Sequence, residues 1–206
     1  MSTPLRTATI APALAGLRAG RAVLIGGVPD PGGRPGGADL VLAAALAEPR
    51  TVASLIRRTG GFVVAAVSAS RAQVLGLTTM THRPDRPDGS AFLVAVDAAT
   101  GVSTGISAAD RARTGRVLAD PASTPADLTR PGHVIALRAD DGGVLVSRGR
   151  AEAATDLCRL AGLPPVALLG YVGEGLPTGD EPGVDVADIV DEVLRRHGPC
   201  HSCCAG

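Results

Sequence analysis

The chain has 206 residues, with twenty basic residues, all arginine, against twenty acidic ones, so its formal charge at neutral pH is zero. That length suits one domain with a core of its own, and the even charge offers nothing to a nucleic acid or an anionic membrane. Without lysine there is no Schiff-base amine and no phosphate-loop lysine, and with only Phe62, Phe92 and Tyr171 as aromatics neither base stacking nor an aromatic cage is expected.

The first ten residues, M-S-T-P-L-R-T-A-T-I, lack the apolar stretch of a secretory signal, and no apolar run approaches the length of a membrane span. A soluble, cytoplasmic protein is therefore expected. Thr9–Leu17 places Ile10, Leu14 and Leu17 on one helical face and stops at Gly20. Arg21–Gly26 predicts a short strand. The following Gly27–Ala38 is too rich in Pro and Gly for helix or strand, and it lacks the G-K-[ST] and G-x-G-x-x-G of nucleotide loops, so it reads as a surface loop or lid. Asp39–Ala47 is an apolar run. Thr51–Arg58 predicts a helix closed by Gly60-Gly61, Phe62–Val67 a strand, Thr81–Gly89 an exposed loop and Ala91–Val96 a strand.

Ser107–Asp110, S-A-A-D, has the spacing of a capping box and predicts a helix running to Leu118. Gly143–Ser147 reads as a strand, Ala151–Ala161 as a helix stopped by Gly162, Val166–Val172 as a buried strand and Val186–Arg196 as an amphipathic helix. With no repeat and no linker before Gly198, the expectation is one α+β or α/β domain over residues 1–197 and a tail over 198–206. His197 and the tail residues Cys200, His201, Cys203 and Cys204 lie close together and are zinc-ligand types. Their spacing is tight and no scaffold strand supports them, so they are given no role in the main chemistry. Cys158 falls in a helical pattern, and the four cysteines are no disulfide framework.

The most informative stretch is Thr129–Arg138, T-R-P-G-H-V-I-A-L-R. Pro131 fixes φ and Gly132 tolerates backbone conformations closed to other residues, so Arg-Pro-Gly predicts a tight corner before a strand at Val134–Leu137. His133 then stands at a strand end on a stiff support, a suitable place for a general base, although a histidine that merely closes a turn has the same pattern.

In collinear order, L-R-A-G-R-A-V, G-V-S-T-G-I-S-A-A-D-R at Gly101–Arg111, D-L-T-R-P-G-H-V-I-A-L-R at Asp127–Arg138, G-G-V-L-V-S-R-G-R-A-E-A at Gly142–Ala153 and D-L-C-R-L-A-G at Asp156–Gly162 make the chain resemble 3,4-dihydroxy-2-butanone 4-phosphate synthase from Leu14 to Val172. That family cleaves formate from ribulose 5-phosphate in riboflavin biosynthesis. The resemblance implies an α+β sandwich working as a homodimer, with sites near the subunit interface and His133 close to the partner chain.

It also implies an acidic loop, D-R-E-N-E-G-D, whose first Glu binds Mg²⁺ together with the His of a G-H-T-E motif. Here the loop falls on Arg34-Pro35-Gly36-Gly37-Ala38-Asp39 and the second motif on Gly149-Arg150-Ala151-Glu152, and the late catalytic Glu falls on Tyr171. The ligand positions are thus Pro35 and Arg150, so no metal and no other cofactor is expected. The catalytic set assigned is His133, Tyr171 and Asp39; the substrate-binding set is Arg34, Arg150, Arg148 and Thr104. The favoured reading is an enzyme of lyase or isomerase type, repurposed for metal-independent isomerisation, dehydration, rearrangement or cyclisation of a small, anionic metabolite, as in natural-product biosynthesis. The alternatives are a genuine riboflavin-pathway synthase with an unusual site, and a non-catalytic relative that binds a metabolite or partner.

Overall fold

Every residue of the strand Val64–Ser68 is buried, the mark of a central strand covered on both faces. The computed structural model describes residues 10–28, 37–81, 91–172 and 181–197. Within them, β1 (Val23–Val28), β2 (Gly37–Ala43), β3 (Val64–Ser68), β4 (Ala91–Ala98), β5 (Leu128–Ala139), β6 (Val166–Val172) and β7 (Gly183–Asp185) form one sheet in the order β4-β5-β3-β6-β2-β1-β7. The β3–β5 and β1–β7 pairs are parallel and the other pairs antiparallel.

Among the described residues six α-helices cover it: α1 (Ile10–Arg18), α2 (Pro49–Arg58), α3 (Ala69–Val74), α4 (Ala108–Ala119), α5 (Arg150–Leu160) and α6 (Val186–His197). One sheet face, with Ile25, Val41, Val64, Leu137 and Leu169, packs on Leu14 and Leu17 of α1, Leu157 of α5, and Ile189 and Val193 of α6. The other, with Leu40, Leu42, Ala65, Leu93 and Leu168, packs on Val52 and Leu55 of α2 and on Ala112 and Leu118 of α4. Each fully buried leucine contributes about 1.5–3 kcal/mol by leaving water. The result is the single-domain α/β sandwich that the resemblance implies.

Local chemistry sets the ends. Ser107 caps α4 by accepting the Asp110 N–H at 3.1 Å, and Gly20, Gly60 and Gly162 take positive φ where α1, α2 and α5 stop. The apolar run Asp39–Ala47 becomes β2 followed by a 3₁₀ turn at Ala44–Leu46. The strand expected at Gly143–Ser147 is instead a 3₁₀ turn over Gly143–Leu145. The reason is local: Gly143 has φ +61, and Asp156 accepts the Val144 N–H at 2.8 Å, which takes that amide from any ladder.

The corner at Arg130-Pro131-Gly132 lies inside a longer strand than expected, because β5 runs over Leu128–Ala139. Val96 pairs with Val134 while the next residue, Asp97, pairs with Thr129, so residues 130–133 bow out of the ladder as a bulge, with a cis Arg130–Pro131 bond. Gly132 makes the bulge fit: a Cβ there would meet the Val96 carbonyl carbon at 2.1 Å and the Asp97 nitrogen at 2.3 Å.

Candidate active site

The bulge presents His133 to Asp97 at the end of β4. The carboxylate accepts the His133 backbone N–H at 3.0 Å through Oδ1 and meets the ring Nδ1 at 2.7 Å through Oδ2. An ionised carboxylate only accepts, so in the neutral ring the proton sits on Nδ1 and the lone pair on Nε2. The imidazole is 43% exposed and Asp97 only 10%, so the ring is held on its Nδ1 side and open on the other. The loop Gly101–Ser107 closes over the pair. Gly105 has φ +88, and a Cβ on it would lie 2.0 Å from Asp97 Oδ2, so only glycine fits against this carboxylate. Asp110, in the first turn of α4, ties the loop down: it accepts from the Ser103 amide at 3.0 Å, the Ser103 hydroxyl at 2.8 Å and the Gly105 amide at 3.1 Å. These donors, the Ser103 amide foremost, hold its carboxyl below the ordinary value.

Asp39, Tyr171 and Arg150 form a second cluster at the same end of the sheet. Val64 of β3 pairs with both Ile135 and Leu169, while Asp39 pairs with Tyr171. His133 precedes Ile135 by two residues and Tyr171 follows Leu169 by two on a strand running the other way, so both lie beyond one edge of the same row. Only β3 separates their strands, about 10 Å between axes.

Asp39 is 1% exposed, and its carboxylate grips Arg150 at the start of α5: Nε donates to Oδ2 at 3.0 Å and Nη2 donates to Oδ1. Burial raises the Asp39 carboxyl above its ordinary value, while the Arg150 charge and hydrogen bond pull it back. The guanidinium carbon lies 5.8 Å from the centre of the Tyr171 ring. A small cavity beside the pair is lined by Asp39, Arg150, Tyr171, Phe62, Phe92 and Gly170, among others. Phe62 meets Phe92 edge-on at 6.4 Å. The chain's two phenylalanines and single tyrosine therefore all line one cavity, a concentration that their scarcity in the sequence gave no reason to expect.

Thr104 is exposed on the loop beside Gly105, and Arg148 is exposed just before α5. Arg34, Pro35 and the Cys200/Cys203/Cys204 tail lie outside the described residues. Sequence reasoning missed Asp97, Gly105, Asp110, Phe62 and Phe92 as site residues. Asp97 carried one signal, an acid closing the apolar strand Ala91–Val96; Gly105 carried none, since its need arises from a neighbour eight residues away in sequence.

A mixed sheet covered by helices on both faces is the architecture of an α/β sandwich. Residues 11–175 match the profile of 3,4-dihydroxy-2-butanone 4-phosphate synthase, and the chain belongs to that family. It is 51% identical over 161 residues to the riboflavin biosynthesis protein RibBA of Salinispora tropica, covering 78% of this chain and 40% of that one. With RibBA of Mycobacterium tuberculosis strain H37Ra it is 42% identical over 186 residues, covering 90% and 42%. The chain thus spans about two fifths of the length of these relatives. Its fold superposes with a TM-score of 0.83 and 32% identity on a crystal structure of 3,4-dihydroxy-2-butanone 4-phosphate synthase in complex with two magnesium ions, covering 94% of this chain and all of that one.

Magnesium takes oxygen ligands, carboxylates above all. In this chain the acid of the cavity, Asp39, has both oxygens on Arg150, and a guanidinium cannot ligate a cation. Among the described residues no group of three or more His, Cys, Asp or Glu is placed to hold a metal. The described residues of this cavity do not fit a divalent cation. No described helix is long and apolar enough to cross a membrane.

Proposed function

We propose that the chain serves riboflavin biosynthesis as a 3,4-dihydroxy-2-butanone 4-phosphate synthase, taking ribulose 5-phosphate and releasing formate. The family match over residues 11–175, which includes the His133–Asp97 pair, carries this reading. His133 Nε2 takes a proton from the carbon next to the ketone, the C–H electron pair becomes a C=C bond, and the carbonyl π pair moves onto oxygen to give an enediolate. Asp97 holds the Nδ1 proton and steadies the imidazolium. In this proposal Arg148 and Thr104, both exposed, meet the substrate's anionic end. The working unit is a homodimer, in which the partner covers the exposed Phe62, Ile106 and Val146 around the site; light scattering that finds a monomer at micromolar concentration removes that part.

The test is formate release from ribulose 5-phosphate by the purified chain, with and without Mg²⁺, beside rescue of a bacterium lacking its own synthase. Formate release and growth support the proposal. Neither, with the chain folded, overturns it.

One observation favours a second reading. The Arg150–Asp39 ion pair leaves no carboxylate free for a cation in the cavity. It supports the same fold working as a lyase or isomerase on a small anionic metabolite without a divalent metal, His133 again acting as base. Conversion of an α-hydroxyketone that persists in chelator, without formate, is the result that distinguishes it. Ligand binding without turnover of any such compound would leave a non-catalytic binder.

A further inference from the structure

A guanidinium has five N–H donors, and Asp39 engages two of those on Arg150, one on Nε and one on Nη2. Nη1 makes no hydrogen bond among the described residues, although the side chain is only 11% exposed. Asp39 does two things to this group. Its two-point grip fixes the plane of the guanidinium against β2, and its charge cancels the arginine's. What remains is a rigid, almost neutral pair with donors to spare, beside Tyr171 and the Phe62 and Phe92 rings. The cavity is small, with room for little more than a water-sized group. Its largely apolar walls lower the local dielectric and strengthen any charged hydrogen bond inside.

We infer that Arg150, held by Asp39, receives the carbonyl oxygen of the substrate and carries the negative charge that develops there. The inference rests on the reading that the chain acts on an α-hydroxyketone. The cancelled charge is the reason for the assignment to a carbonyl. A bare buried guanidinium would bind any phosphate or carboxylate in its ground state. The neutralised pair has little long-range pull on an anion, yet the N–H groups that have no partner among the described residues can shorten and strengthen their hydrogen bonds as a neutral carbonyl gains charge. Stabilisation that grows toward the transition state raises turnover, whereas equal binding of the ground state does not. In the step, the C–H electron pair becomes the new C=C bond, the carbonyl π pair moves onto oxygen, and the proton goes to a base, so no oxidant or second reactant is needed.

The experiment uses the whole chain in chelator, with dihydroxyacetone phosphate labelled with ¹³C at its carbonyl carbon as the probe, read by the infrared stretch of the bound ketone. The wild type should move the stretch to lower frequency with no added metal. Arg150→Ala should abolish the shift and weaken binding about tenfold or more. Arg150→Lys should recover only part, because an ammonium cannot bridge Asp39 and the ketone as a planar fork does.

Asp39→Asn is the sharper variant, since it keeps the arginine and removes the cancelling charge. It should deepen the shift and tighten binding of the phosphate-bearing probe. A probe that does not bind, a shift that requires Mg²⁺, or a shift indifferent to both Arg150→Lys and Asp39→Asn overturns the inference, even if Arg150→Ala does not fold. Formate release measured in parallel separates the two claims. Formate that depends on Mg²⁺ and not on Arg150 sinks the inference and spares the synthase reading. A metal-free shift without formate does the reverse.

Discussion

Gly105→Ala tests whether the loop over His133 is shaped by the dyad beneath it. Gly105 has φ +88, and an added Cβ would fall 2.0 Å from Asp97 Oδ2 and 2.7 Å from His133 Nδ1. Non-bonded heavy atoms rest roughly 3.5 Å apart, so the methyl must drive the carboxylate or the loop back by about 1.5 Å. The Nδ1–Oδ2 contact of 2.7 Å does not survive such a displacement of the carboxylate. A left-handed backbone costs a non-glycine residue about 1–2 kcal/mol. Losing a hydrogen bond to a charged group adds about 1.5–3 kcal/mol, reduced here because the imidazole is 43% exposed. The expected loss in a urea titration is about 2–3 kcal/mol.

The second readout is the ¹⁵N spectrum of the His133 ring. In the wild type the neutral ring should keep its proton on Nδ1, toward Asp97. In the variant it should move toward the Nε2–H form that free histidine prefers. A variant as stable as the wild type with an unaltered tautomer would refute the geometry, and Asp97→Asn should reproduce the tautomer change without the backbone cost.

His133→Ala should lower turnover by about a hundredfold to ten-thousandfold while the chain still folds, with a stability loss of about 1–2 kcal/mol for the Asp97 hydrogen bond it removes. Arg150→Ala strands Asp39 in the core, and should cost about 3–5 kcal/mol at neutral pH. Burial alone then acts on a carboxyl already raised, so that variant should be most stable in acid and lose stability as the pH climbs through the raised value; melts at pH 5 and pH 8 compare the two. Asp110 behaves oppositely: its carboxyl is held low, so its grip on Gly101–Ser107 is complete above the ordinary carboxylate range and lost as the pH falls through the lowered value. Amide exchange at Ser103 and Gly105 should report that release, and Asp110→Asn should show it already at neutral pH. Cys158, buried with its thiol pushed up to about 12, should resist a thiol reagent at pH 8 until the chain unfolds.

Much of the sandwich could be read directly where a single period dominates. Val166–Val172 is a strand at its expected limits, Ser107 caps the expected helix, α5 is the expected span shifted back by one residue, and α6 runs one residue further than expected. The failures are places where a partner distant in sequence decides. Gly143–Leu145 looks like strand until Asp156, on α5, takes the Val144 amide. β7 and α3 are too short to carry a period. At the site, His133 showed itself because a proline and a glycine precede it, whereas Asp97 and Gly105 matter through contacts only the folded chain creates. Arg150 was legible as a replaced residue, but that Asp39 cancels its charge was not, because β2 and α5 meet across more than a hundred positions of sequence.

β6 has a consequence for how the protein is made. Of the strands, β1 and β2 pair with each other, and β3, β4 and β5 form a second group; the two groups share no ladder except through β6, which bonds to β2 on one side and β3 on the other. A nascent chain therefore carries two separate fragments, each with an open edge and an exposed apolar face, until Val166–Val172 leaves the ribosome. At synthesis rates of about 5–20 residues per second that interval lasts several seconds, long enough for chaperones to matter. The same segment ends in Tyr171, so the strand that joins the fragments is also the one that brings the last aromatic to the cavity.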